Sequence, residues 1–135
     1  MPIAIQCTLY SFTLQNKPGV LLALATRMRT ADISLLTLWA RSNDDKTSTL
    51  SCIPERDAQF RDFAQSAELK AIEEEVIHVT AEDRGGDFIR VLEKVAKLNA
   101  NIDAIEAVTL EGKTGWVIKT SKTHIDSLIN QVNGA

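Results

Sequence analysis

The chain has 135 residues, 44% hydrophobic and 24% charged, the balance of an ordinary globular protein. Its formal net charge of −3 offers no footprint for nucleic acid or an anionic membrane, and no apolar run approaches the length that spans a bilayer. The opening MPIAIQC has neither a basic start nor a long apolar core, so no signal peptide is expected. Cys7 and Cys52 are accordingly expected as reduced thiols in a cytoplasmic protein.

Residues 3–14 alternate as a strand, with Tyr10, Phe12 and Leu14 on one face and Cys7, Leu9, Ser11 and Thr13 on the other. Asn16-Lys17-Pro18-Gly19 breaks it. Pro18 has its φ preset for a helix start and no N–H to leave unpaired there, and Gly19 lets backbone come close to another group. A helix is expected over 18–30, with Val20, Leu21, Leu24, Met28 and Ala31 as its apolar stripe and Leu22 and Ala25 beside it. Asp32 falls where a left-handed cap is needed, which Asp tolerates. Strands over 33–42 and 47–53 flank the turn Asn43-Asp44-Asp45-Lys46. Pro54 ends the second of these. A helix over 57–67 presents Phe60, Phe63, Ala64 and Ala67 on one face.

Residues 69–81 are extended; their first half closes one unit and their second half opens the next. The turn Asp83-Arg84-Gly85-Gly86 leads into a helix over 87–98, with Phe88, Val91, Leu92 and Val95 inward and Asn99 as a second left-handed cap. Strands over 102–110 and 116–120 flank Glu111-Gly112-Lys113. A helix over 124–132 ends the pattern, with no strand after it.

This order repeats. Gly86 follows Gly19 by 67 residues, and Ile102 follows Leu35 by 67. Without a gap, Thr13 falls on Thr80, Ala40 on Ala107, Lys46 on Lys113 and Thr47 on Thr114, while Leu9, Phe12, Leu24 and Met28 fall on Val76, Val79, Val91 and Val95. Strand–helix–strand–strand–helix–strand is the ferredoxin-like order. The expected fold is α+β: two ferredoxin-like units in tandem, residues 1–72 and 73–135, with antiparallel sheets, helices on one face, and the second unit lacking its last strand and so leaving an edge. A unit of half this length has a thin core, so packing between units and a homo-oligomer are expected. Leu22 and Ile89, equivalent and marginal to their helical stripes, suggest a contact between first helices.

Asn16-Lys17-Pro18-Gly19-Val20-Leu21, then Leu24, Met28 and Ala31-Asp32-Ile33-Ser34-Leu35, resembles the signature of the ACT domain family. Asp83-Arg84-Gly85-Gly86 and Leu98-Asn99-Ala100-Asn101-Ile102 resemble it again. Asp32 and Asn99 stand where the family has a cap glycine, and Gly85 where it has proline. The resemblance implies a non-catalytic regulatory or sensory module whose partner is a small ligand, usually an amino acid. It places that ligand near an interface, at Asn16, Pro18, Gly19, Val20 and Leu35, and in the second copy at Asp83, Gly85, Gly86, Asp87 and Ile102. The chemistry is reasonable in its own terms: backbone N–H groups at a helix start and its positive dipole suit a carboxylate, and Asn16 or Asp83 can accept from an ammonium group.

Neither His78 nor His124 has a partner at metal-ligand spacing, and no paired-cysteine motif occurs, so no metal or cofactor is expected. Glu73, Glu74 and Glu75 read as a solvated or edge-protecting run, and Arg90, Lys94 and Lys97 as a wet helix face. Trp39 and Trp116 suit either a core or a partner-facing sheet. The alternatives are an assembly-only module with empty loops, or a small ferredoxin-like enzyme, which the lack of convergent polar residues disfavours. RNA binding is disfavoured by the acidic charge and the absence of paired strand aromatics.

Overall fold

The computed structural model describes residues 2–82 and 86–134. Contacts divide the chain into two compact units: Thr8–Glu74, and Met1–Cys7 together with Glu75–Ala135. The first unit takes most of β1 (Ile3–Gln15), then α1 (Val20–Thr30), β2 (Leu35–Ser42), β3 (Thr47–Pro54), α2 (Asp57–Ser66) and the start of β4 (Ile72–Glu82). Its hydrogen-bonded order is β2-β3-β1-β4, the ferredoxin-like arrangement.

Alternation sets the core of this unit. Tyr10 and Phe12 lie opposite Cys52 and Leu50 on the antiparallel β1·β3 ladder. They pack against Leu24 and Met28 of α1 and Phe60 and Ala64 of α2. Burying a side chain such as Leu50 or Phe60, each fully covered, stabilises by about 1.5–3 kcal/mol. Tyr10 has the polar end its burial requires: its ring centroid is 4.7 Å from that of Phe60, and its hydroxyl donates to Asp57 Oδ1 at 3.1 Å. Gly19 has φ 88, so α1 starts at Val20 rather than at Pro18. At its other end Asp32 takes φ 59, and the Ile33 N–H closes onto the Met28 carbonyl at 2.9 Å, as the expected left-handed cap requires.

The second unit comprises the rest of β4, α3 (Asp87–Lys97), β5 (Ile102–Leu110), β6 (Lys113–Thr120), a 3-10 turn (Lys122–His124) and α4 (Ile125–Gly134), with the first residues of β1. Its order is β5-β6-β4-β1. No strand follows α4 within the described residues, as expected, but the fourth place is not left as an open edge: residues 3–7 occupy it. Ala4 is buried in this unit's core with Ile77, Val79, Val91, Val95, Trp116, Ile118 and Leu128. The Asn133 side chain fixes it twice, accepting from the Ala4 N–H at 2.7 Å and donating to its carbonyl at 2.8 Å. The bounds therefore differ from 1–72 and 73–135. A sequence repeat is contiguous, whereas a 13-residue strand is long enough to serve one unit with its beginning and the other with its end.

The repeat is also not gapless in space. Phe12 pairs with Leu50, but Val79 pairs with Trp116, so β6 follows β3 by 66 residues while β5 follows β2 by 67. Five residues separate the paired Ser42 and Ser48, and four separate Thr109 and Thr114. Lys46 and Thr47 thus do not fall on Lys113 and Thr114. The shorter hairpin turns on Glu111 (φ 53) and Gly112 (φ 78), which lets β6 begin at Lys113 rather than at Trp116. Bulges recur at equivalent places, Leu35/Thr37 and Ile102/Ala104. Among the described residues no helix is long and apolar enough to cross a membrane.

Candidate functional site: the turn before the first helix

Asn16 anchors the turn. Its N–H donates to the Lys46 carbonyl at 2.8 Å, and its side-chain Nδ2 donates to Ser42 Oγ at 3.0 Å and to the Asp44 carbonyl at 2.8 Å. The turn is thereby tied to the β2–β3 hairpin. The hairpin is braced in turn by Asp44, whose Oδ1 accepts from the N–H groups of Thr47 and Lys46. Those two hydrogen bonds hold the Asp44 carboxyl below its usual range. With both amide hydrogens of Asn16 engaged, what its side chain offers a ligand is the acceptor Oδ1.

Pro18 and Gly19 shape the backbone. A Cβ at Gly19 would meet nothing within 4 Å, so the space over the turn is open. No acidic side chain lies in the first turn of α1, and no side chain caps it. The positive end of the helix is therefore uncompensated there, while Arg27 and Arg29 in the last turn suit the negative end.

A cleft of about 200 Å³ adjoins this turn, lined by Leu14, Asn16, Lys17, Val20, Leu21 and the two serines Ser42 and Ser48, among others. Of the residues predicted for a ligand, Asn16 and Val20 line it. Leu35 packs instead against the first unit's core. Lys17, Ser42 and Ser48 went unpredicted. The serines face each other across the β2·β3 ladder, a register visible only once the hairpin pairing is known.

The second turn differs. Asp83 and Gly85 lie outside the described residues. Gly86 precedes α3 with φ −100, and a Cβ there would sit 3.5 Å from the Arg90 guanidinium. Asp87, equivalent to Val20, is buried; its Oδ1 accepts from Arg90 Nη1 at 3.1 Å, and its Oδ2 has no hydrogen-bond partner among the described residues. A carboxylate here already compensates the helix start. Ile102 opens β5 and packs against the second unit's core.

Other reactive groups have local roles. Burial pushes the Cys52 thiol up to about 12, which suppresses the thiolate. Burial also lowers the His78 pKa. His124 Nδ1 lies 2.6 Å from Ser121 Oγ within the turn that leads into α4. Among the described residues no cluster of His, Cys, Asp and Glu could hold a metal ion.

No protein-family model matches the chain, and no curated protein matches it. Solved structures do. A protein from Bacteroides thetaiotaomicron superposes with a TM-score of 0.80 at 17% identity, covering 97% of this chain and 89% of that one. The ligand-free regulatory subunit of aspartate kinase from Thermus thermophilus gives 0.67 at 11% identity, covering 99% and 95%. E. coli aspartokinase III, solved in complex with lysine and aspartate, gives 0.54 at 13% identity, covering 98% of this chain and 32% of that one. At these identities the likeness shows the fold: two ferredoxin-like α+β units, as in regulatory subunits of aspartate kinase.

Proposed function

We propose that the chain is a non-catalytic regulatory module of the ACT type, and that its first unit binds a free amino acid in the cleft beside the turn at residues 16–20. One observation carries this reading. The uncompensated start of α1 borders a cleft whose wall includes Asn16, Lys17 and two serines. The ligand's carboxylate faces the N–H groups of the first turn, with Lys17 adding positive charge. Its ammonium group meets Asn16 Oδ1, and its side chain lies along Leu14 and Leu21. A volume near 200 Å³ suits a molecule of amino-acid size, since a water molecule's share is about 30 Å³. The fold shared with regulatory subunits of aspartate kinase supports the reading, as does a neighbour crystallised with lysine and aspartate.

The second unit is not an equal site in this proposal, because Asp87 puts a carboxylate where the ligand's own would go. The test is a thermal-shift screen of the common amino acids. A rise in melting temperature with one or a few of them is expected; no rise with any contradicts the reading.

A further inference from the structure

We infer that the helix-free face of the second unit is the surface through which two copies of this chain pair. This goes beyond the ligand reading and does not depend on it. In this unit Ala4, Ile77, Val79, Trp116 and Ile118 point to the helices. Their strand neighbours point the other way. There a trough of about 780 Å³ is lined by Ile3, His78, Thr80, Val108, Leu110 and Gly115, among others. Three of its large side chains are apolar yet uncovered: Ile3 is 59% exposed, Val108 67% and Leu110 71%. Gly115 leaves the floor low. A Cβ there would meet only His78 Nε2 at 3.7 Å, an ordinary contact, so packing within the unit does not require the glycine.

The first unit supplies an internal comparison. Thr49 pairs with Thr13 and Arg41 as Gly115 pairs with Thr80 and Val108. The first unit's equivalents of Val108, Leu110, Gly115 and His78 are Arg41, Asn43, Thr49 and Ser11. The same fold therefore stands with these four positions polar, and the apolar side chains that replace Arg41 and Asn43 in the second unit answer to something that covers them. A second copy fits best. The rim carries both signs, with Glu82 and Glu111 beside Lys113, so the patch is complementary to itself in charge, as a two-fold contact requires. Val108 and Leu110 also lie on β5, the last strand in the order, whose outer edge pairs with no other strand among the described residues and can extend the contact.

The experiment is sedimentation equilibrium of the full chain from micromolar to near-millimolar concentration. It compares wild type, the double variant Val108→Arg/Leu110→Asn and the single variant Gly115→Thr. Each variant writes into the second unit what the first already carries, so both should fold, and their melting curves check that they do. Wild type is expected to pass from monomer to dimer, and each folded variant to dimerise at least about tenfold more weakly, or ~1.4 kcal/mol. A wild type that stays monomeric throughout overturns the inference. So does a dimer whose affinity is unchanged in either folded variant.

Discussion

Asn16 Nδ2 donates to the Asp44 carbonyl at 2.8 Å, and through this contact the turn before α1 and the β2–β3 hairpin form one structure. Asn16→Ala removes this hydrogen bond and the one to Ser42. Each such bond contributes about 0.5–1.5 kcal/mol, and exposed ones fall at the low end, so a total loss of about 1 kcal/mol is expected. Urea denaturation measures it. Amide exchange at Lys46 and Thr47 should accelerate more than at Leu50, in the core of β3. Unchanged exchange at the hairpin would show that Asn16 does not brace it.

Gly19 tests backbone strain apart from packing. Its φ of 88 lies in the left-handed region, and an added Cβ would touch nothing. Gly19→Ala should therefore cost about 1–2 kcal/mol through conformation alone. Gly19→Asn should cost less, because Asn tolerates this region. Equal losses for the two, read from chemical denaturation midpoints, would point to a steric cause instead.

Much of the fold was legible because its devices are local. Asp32 and Asn99 take φ 59 and 53 where sequence placed left-handed caps, and the inward faces of α1 and α2 follow helical spacing. The sharing of β1 was not legible: nothing in residues 3–7 distinguishes a strand's start from another unit's missing strand until Ala4 meets Asn133. The extent of β6 was hidden by Gly115, a weak strand former, and the one-residue difference between hairpins by the chance match of Lys46-Thr47 with Lys113-Thr114. Of the site, the turn and its glycine were visible. The serines of the cleft depend on cross-strand register, which no local pattern encodes.

Alkaline pH should destabilise the first unit. Burial, followed by the charge of Asp57 and the hydrogen bond to it, raises the Tyr10 pKa from 10.0 to about 12. Burial raises Cys52 from 9.0 to about 12. In both cases the folded state holds its proton more tightly than the unfolded state. The stability this confers is fully present below the unfolded value and is lost as pH rises through the folded one. The fall should begin near pH 9 from Cys52 and steepen from pH 10 as Tyr10 joins. Tyr10→Phe should flatten the profile above pH 10, and Cys52→Ala should flatten it from pH 9. Denaturant midpoints across this range provide the check. Parallel profiles for wild type and both variants would remove these groups as the cause.

Calorimetric titration of Val20→Asp asks whether the start of α1 receives a ligand's carboxylate. The half-buried Val20 is the first residue of α1, and its equivalent in the second unit is Asp87. An acidic side chain there complements the helix dipole by about 0.3–1 kcal/mol, which offsets part of the apolar contact that Val20 gives up, and a melting curve checks that the variant folds. It also places negative charge where the carboxylate would bind. Whichever amino acid stabilises wild type is expected to bind Val20→Asp at least about tenfold more weakly, roughly 1.4 kcal/mol, while Lys94→Ala on α3 of the second unit binds it unchanged. Equal affinity for wild type and Val20→Asp would show that no carboxylate binds at the start of α1.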